Sequence, residues 1–132
     1  MVIGDARVID VDEHTFLNMS GKIDKLIVLE FWSPTCSVCR DVAPIYEAVS
    51  QEMSGEALFC RLNTQTNGTL PESLGVTATP TFMFFCRDRQ IGAIVGSVNQ
   101  TALRNTIRDA IRHKEECASG SRKIVYEQDG YG

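Results

Sequence analysis

The sequence is short of positive charge and of long apolar runs. Lysine and arginine number 13 against 17 aspartates and glutamates, which gives a formal net charge of −4. Proteins that bind nucleic acids are usually basic or carry a basic stripe, so this composition argues against that class. No uninterrupted apolar run approaches the roughly 20 residues of a membrane-spanning helix. We therefore expect neither a nucleic acid nor a membrane as a partner.

Residues that could hold a metal ion are also scarce. The two histidines, His14 and His113, stand apart, and there is a single Cys-x-x-Cys, formed by Cys36 and Cys39. A structural zinc site needs four ligands, so two more would have to be found elsewhere. We expect no metal and no bound cofactor.

The remaining cysteines bear on the cellular compartment. Cys60, Cys86 and Cys117 are isolated in the sequence, whereas a secreted disulfide scaffold favours an even number of cysteines at compact spacings. The first residues also lack the basic and apolar segments of a signal peptide. Both features favour a cytoplasmic protein, in which Cys60 and Cys86 would be small core residues.

The length of 132 residues suits one domain, and its 43% of hydrophobic residues is ordinary for a globular protein. We assign residues 1–116 to this domain and residues 117–132 to a flexible C-terminal tail. We expect the protein to be a monomer.

The central pattern is a strand–helix–strand unit. Leu26–Trp32 is almost continuously apolar, which is typical of a parallel strand covered on both faces. Apolar residues then recur every three or four positions from Val38 to Met53 and predict a long helix, and Ala57–Leu62 predicts the next strand. The other predicted elements are a strand at Val8–Val11, a helix from Asp12 to about Met19, a short helix at Thr69–Leu74, a hairpin of Thr81–Cys86 and Ile91–Val95 with its loop at 87–90, and a final helix capped by Asn99.

Cys36 and Cys39 lie where the buried strand ends and the long helix begins. Free N–H groups and the positive end of the helix dipole stabilise a thiolate there and lower its pKa. The spacing brings both side chains to one side of the first turn, within reach of an S–S bond. Cys36, the outer residue, is predicted to be the nucleophile, and Cys39 to resolve the mixed disulfide. Half of a zinc site and a pair of structural cysteines are the alternative interpretations.

These residues belong to a wider resemblance to the thioredoxin family, which covers about residues 7–113. Three segments carry it: Glu30–Arg40 followed by Ala43-Pro44 resembles the active-site segment, Gly75–Thr81 the cis-proline loop, and Val95-Gly96 the glycine of the last strand. The resemblance implies an α/β thioredoxin fold, a three-layer α/β/α sandwich around a mixed central sheet. The first three strands would run parallel and the final hairpin antiparallel.

The resemblance also implies a surface that binds substrate. The Thr79–Pro80 peptide bond would be cis and packed against the cysteine pair, with the Thr79 backbone exposed to an extended substrate strand. Trp32, Thr35 and Gly96 are expected to border the same surface. An ordinary trans proline that opens a strand is the alternative.

Three features depart from the family pattern. Ser37 and Val38 replace the usual Gly-Pro between the cysteines, so the redox potential cannot be carried over. Thr35 replaces an aromatic residue and makes the surface less apolar. Glu30 replaces the buried aspartate of thioredoxins. Burial is expected to raise the pKa of Glu30 and to let it accept the proton of Cys39 through water.

Glu30 has a second interpretation. Arg61 stands where thioredoxins carry a lysine, and it is expected to pair with the Glu30 carboxylate. The two roles are compatible.

Together these features predict a thiol–disulfide oxidoreductase that acts on protein disulfides. We expect it to work as a reductant and to receive electrons from a reductase. The alternatives are a disulfide isomerase or oxidase, and a thioredoxin-fold adaptor in which the dithiol is incidental.

Overall fold

The computed structural model describes residues 8–118, with side chains as far as Lys114. The elements in chain order are β1 (Ile9–Asp10), α1 (Glu13–Ser20), β2 (Leu26–Trp32), α2 (Ser37–Glu52), β3 (Ala57–Asn63), α3 (Thr69–Ser73), β4 (Thr81–Cys86), β5 (Arg89–Val95) and α4 (Gln100–Ala118). The predicted tail beyond Ala118 and the side chain of Cys117 lie outside the described residues.

The five strands form one mixed sheet in the order β1-β3-β2-β4-β5. Strand β3 pairs in parallel with both β1 and β2, while β4 is antiparallel to β2 and to β5. The predicted strand directions are therefore confirmed. Strand β2 occupies the centre of the sheet, and all of its residues except Trp32 are buried, because helices cover both faces.

Two apolar clusters separate the sheet from its helices. On one face, α2 and α4 pack Tyr46 and Ile107 onto strand residues such as Val28. On the other face, Phe16 of α1 and Leu70 of α3 pack on the alternate residues of the same strands. Each large apolar side chain buried in this way contributes about 1.5–3 kcal/mol. This arrangement confirms the three-layer α/β/α sandwich.

Tyr46 fixes α2 against the sheet. Its hydroxyl lies 2.7 Å from the carbonyl oxygen of Cys60 and 3.1 Å from that of Val28. The tyrosine is fully buried, and burial raises its pKa well above the usual range. A neutral phenol thus joins the helix that carries Cys39 to two neighbouring strands.

The hairpin is tighter than predicted. Only Arg87 and Asp88 separate β4 from β5, in place of the loop expected over 87–90. Arg87 adopts the left-handed region at φ 56°, which lets a two-residue turn follow the twist of the strands. The prediction was wrong because this turn lacks the glycine or asparagine that usually occupies such a position.

Within residues 8–118, no helix is both long and apolar enough to cross a membrane.

Candidate functional site

The cysteine pair lies at the junction of β2 and α2, as the sequence predicts. Cys36 is the N-cap of α2, and it forms a disulfide with Cys39 across a Cα–Cα distance of 5.3 Å. The Cys39 backbone N–H donates to the Cys36 sulfur at 3.1 Å. When the pair is reduced, the same N–H and the helix dipole favour a thiolate on Cys36.

The two sulfurs differ in access. Cys36 is half-buried, whereas Cys39 is 5% exposed. A bulky reaction partner therefore reaches Cys36 first, while Cys39 faces inward.

The loop between α3 and β4 contacts Cys36. The Thr79–Pro80 peptide bond is cis, and the carbonyl oxygen of Thr79 lies 3.4 Å from the Cys36 sulfur. The Gly96 N–H donates to the Pro80 carbonyl at 2.9 Å, and Gly96 has φ +95°, a conformation that favours glycine. The fold thus brings Cys36, Thr79, Pro80 and Gly96 together, with Pro80 buried and the other three partly exposed.

Thr35 belongs to a polar group next to the cysteines. Its hydroxyl lies 3.1 Å from the Ser33 hydroxyl, and the Gln65 amide donates to both at 3.3 Å. Neither Ser33 nor Gln65 was predicted from the sequence to be a site residue. Gln65 follows β3, and only the parallel pairing of β3 with β2 places it beside the loop that follows β2.

A cavity of about 260 Å³ lies beside Cys39. Glu30, Trp32, Cys39 and Arg61 contribute to its lining. Its volume is sufficient for several water molecules. The cavity therefore connects the inner cysteine with the buried carboxyl group.

Glu30 is the acid of this cavity and is 3% exposed. Burial raises the pKa of Glu30 from 4.5 to about 7, against a smaller lowering by the positive charge of Arg61. A carboxyl group with this pKa takes up and releases protons near neutral pH.

Arg61 does not form the expected ion pair with Glu30. Its Nε donates to Asp10 Oδ1 at 2.6 Å, and its guanidinium carbon lies 4.9 Å from the centroid of the Trp32 ring. Trp32 thus borders the cavity, and its buried Nε1 has no hydrogen-bond partner among the described residues. Asp10 was not predicted from the sequence, because its contact with Arg61 depends on the register of a two-residue strand.

Two other described cysteines lie in the core. Cys60 is fully buried with a free thiol, and burial raises its pKa to about 12. Cys86 is buried at the end of β4, and its sulfur lies 3.9 Å from the Lys114 carbonyl oxygen of α4. Across the described part of the chain, no group of three or more His, Cys, Asp or Glu residues could hold a metal ion.

Comparison with known proteins agrees with this geometry. The Thioredoxin family model matches residues 7–109. The M-type chloroplastic thioredoxin of Brassica napus is 32% identical over 97 residues, which cover 74% of this chain and 55% of that protein. Thioredoxin 1 of a Nostoc species is 30% identical over 97 residues, which cover 74% of this chain and 91% of that protein.

A solved structure shows the same fold. The crystal structure of Malassezia sympodialis thioredoxin matches with a TM-score of 0.70 at 22% identity, covering 86% of this chain and 96% of that one. The family model spans most of the sequence and includes both cysteines. The chain belongs to the thioredoxin family.

Proposed function

We propose that this protein reduces disulfide bonds in protein substrates through the Cys36–Cys39 dithiol. The observation that carries the proposal is the position of this pair, with Cys36 at the N-terminus of α2 and in contact with the Thr79 carbonyl. Family membership supports thiol–disulfide exchange as the reaction type. The direction of the exchange is our inference.

In the first step, the Cys36 thiolate attacks one sulfur of the substrate disulfide. That S–S bond breaks, the other substrate sulfur leaves as a thiolate, and a mixed disulfide joins Cys36 to the substrate. The Cys39 N–H that donates to the Cys36 sulfur supports this assignment. The greater exposure of Cys36 supports it as well.

In the second step, the Cys39 thiolate attacks the Cys36 sulfur. The mixed disulfide breaks, the second substrate thiolate leaves, and the Cys36–Cys39 disulfide forms. Two electrons pass from the protein to the substrate, so a reductase must restore the dithiol. Cys39 first has to lose its proton, and Glu30 accepts it through water in the shared cavity.

The substrate docks as an extended strand beside Cys36. The Thr79 backbone offers hydrogen bonds to it, in the manner of strand addition. Pro80 and Gly96 shape this loop, and their backbone hydrogen bond supports the assignment. Two exposed apolar side chains, Val38 and Val95, neighbour the docking region in sequence and offer it apolar contacts.

Trp32 and Thr35 complete the proposed surface. Trp32 lines the cavity on one side of the cysteines, and Thr35 presents a hydroxyl held by Ser33 and Gln65. A polar group here favours substrates with a polar residue near the disulfide.

An insulin-disulfide reduction assay, followed by a redox titration of the cysteine pair, tests the proposal. We expect catalysis with dithiothreitol and a potential on the reducing side, more negative than about −200 mV. A potential of about −180 to −120 mV would instead indicate an isomerase or oxidase. No catalysis by a folded protein would favour the adaptor. A cytoplasmic location, a monomeric state and a one-domain organisation remain part of this proposal.

A further inference from the structure

Three charged residues form a row across neighbouring strands. Asp10 of β1 is the register partner of Arg61 of β3, and Arg61 is the register partner of Glu30 of β2. Register partners on adjacent strands project from the same face of a sheet. Arg61 therefore stands between two carboxyl groups, one at the edge of the sheet and one at its centre.

Arg61 makes its close contact with the outer carboxyl group. Its Nε donates to Asp10 at 2.6 Å, and its guanidinium group packs over the Trp32 ring. Among the residues that the structure describes, no cation lies within 4.0 Å of the Glu30 carboxylate. The charge of Arg61 is thus directed away from the buried acid.

Besides β3, helix α2 and strand β4 place side chains around Glu30. From α2, Cys39 and Arg40 line the same cavity. The Tyr46 hydroxyl, also on α2, donates to the backbone carbonyls of β2 and β3. From β4, the register partner of Glu30 is the apolar Phe82.

Arg40 is the second cation at the cavity, but its side chain is exposed and reaches the Pro34 carbonyl. On α2, the negative charge of Glu47 also favours the charged form of Arg61. Arg61 is therefore the cation whose position decides the local field at Glu30.

We propose that Asp10 is a positioning residue that holds the Arg61 guanidinium over Trp32 and so keeps it from pairing with Glu30. This inference rests on the proposed function, in which Glu30 accepts the proton of Cys39. A direct Arg61–Glu30 ion pair would hold the carboxylate ionised and make it a weaker base. Asp10 thus preserves a proton acceptor matched to neutral pH, although it never touches a reacting atom.

The test is a ¹³C NMR titration of the Glu30 carboxyl group in the oxidised protein, with Glu30→Gln used to assign the resonance. In Asp10→Asn, Arg61 is free to turn toward Glu30, and the titration midpoint should fall by about one pH unit. In Arg61→Gln the midpoint should rise, because the positive charge that lowers the pKa of Glu30 is removed. In the double variant, Asp10→Asn should add almost nothing to the effect of Arg61→Gln.

Two further variants separate positioning from a general charge effect. Asp10→Glu keeps a carboxylate for Arg61 and should restore most of the wild-type midpoint. Glu56→Gln removes one exposed carboxylate in the turn just before β3, about 16 Å along the chain from Arg61, and should leave the midpoint unchanged. Thermal unfolding of each variant checks that the fold persists.

An unchanged midpoint in Asp10→Asn would overturn the proposal. An equal fall in the Arg61→Gln background would also overturn it, because Asp10 would then act on Glu30 directly. The proposed function is judged separately, from the rate at which Cys39 resolves a mixed disulfide. If that rate is the same in Glu30→Gln as in the wild type while the titrations behave as expected, the positioning role of Asp10 stands. The role of Glu30 in proton transfer would then be wrong.

Discussion

The sulfur of Cys36 lies 3.4 Å from the carbonyl oxygen of Thr79, although the two residues are 43 positions apart in the chain. This contact joins the dithiol to the loop that we propose as the docking site. A substrate strand hydrogen-bonded to the Thr79 backbone would bring its disulfide beside the reactive sulfur, which lowers the entropic cost of the attack.

The first prediction separates the roles of the two cysteines. Cys36→Ser should abolish disulfide reduction, because the only accessible sulfur of the pair is removed. Cys39→Ser should retain the attack but accumulate mixed disulfides, since the resolving thiol is absent. Insulin turbidity and non-reducing electrophoresis measure the two outcomes.

Cys60→Ala is the matched control for these variants. Cys60 is a fully buried free thiol outside the site, so its removal should lower the free energy of unfolding by about 1 kcal/mol and leave reduction intact. Full activity in Cys36→Ser would show that the roles are assigned wrongly.

The second prediction concerns Gly96. Its φ of +95° is unfavourable for any L side chain, although no atom lies within 4 Å of a Cβ added there. Gly96→Ala should therefore lower the free energy of unfolding by about 1–2 kcal/mol through backbone strain alone. Because the Gly96 N–H holds the Pro80 carbonyl, the KM for protein substrates should rise as well.

Gly55→Ala is the control for Gly96→Ala. Gly55 also has open space around an added Cβ, but its φ lies outside the positive range. This variant should be as stable as the wild type or slightly more stable, because alanine restricts the unfolded chain. Equal stability of the two variants in urea would exclude strain at Gly96.

The sequence predicted the elements around the cysteines well, because their signals are local. The apolar run of β2 and the helical spacing after Val38 fix a strand, a turn and a helix, and these place Cys36 at a helix start. The partner of Arg61 was not predictable in the same way. Glu30 and Asp10 are both suitable acids and both are register partners of Arg61, and only the side-chain geometry of the folded protein shows that the guanidinium binds Asp10.

The third prediction is that Glu30 lowers stability at neutral and alkaline pH. Its folded-state pKa of about 7 exceeds the ordinary value of 4.5, so the folded protein binds the proton more tightly than the unfolded chain does. Stability should therefore fall as the pH rises from about 4.5 to about 7 and then level off. With one pKa unit worth about 1.4 kcal/mol, the loss is on the order of 3 kcal/mol.

Glu30→Gln removes this titration and should be more stable than the wild type at pH 8, with the difference vanishing near pH 4.5. Urea midpoints at the two pH values measure it. The gain is expected because Arg61 is bound to Asp10 and is not stranded when the Glu30 charge is lost. A destabilised Glu30→Gln at pH 8 would mean that Arg61 depends on Glu30 after all.

The last prediction connects Glu30 to the chemistry. Cys39 and Glu30 line one cavity, and Cys39 must lose its proton before it attacks the mixed disulfide. Glu30→Gln should slow this step by about 10²-fold, the lower end of what general base catalysis contributes, while the initial attack by Cys36 keeps its rate. In the wild type, release of the substrate from the mixed disulfide should slow as the pH falls below about 7, because a protonated Glu30 cannot accept the proton of Cys39. Single-turnover release of a preformed mixed disulfide across this pH range measures both effects. A Glu30→Gln protein that keeps the wild-type rate and pH profile would leave Glu30 as a buried structural acid, and Cys39 would have to lose its proton to solvent.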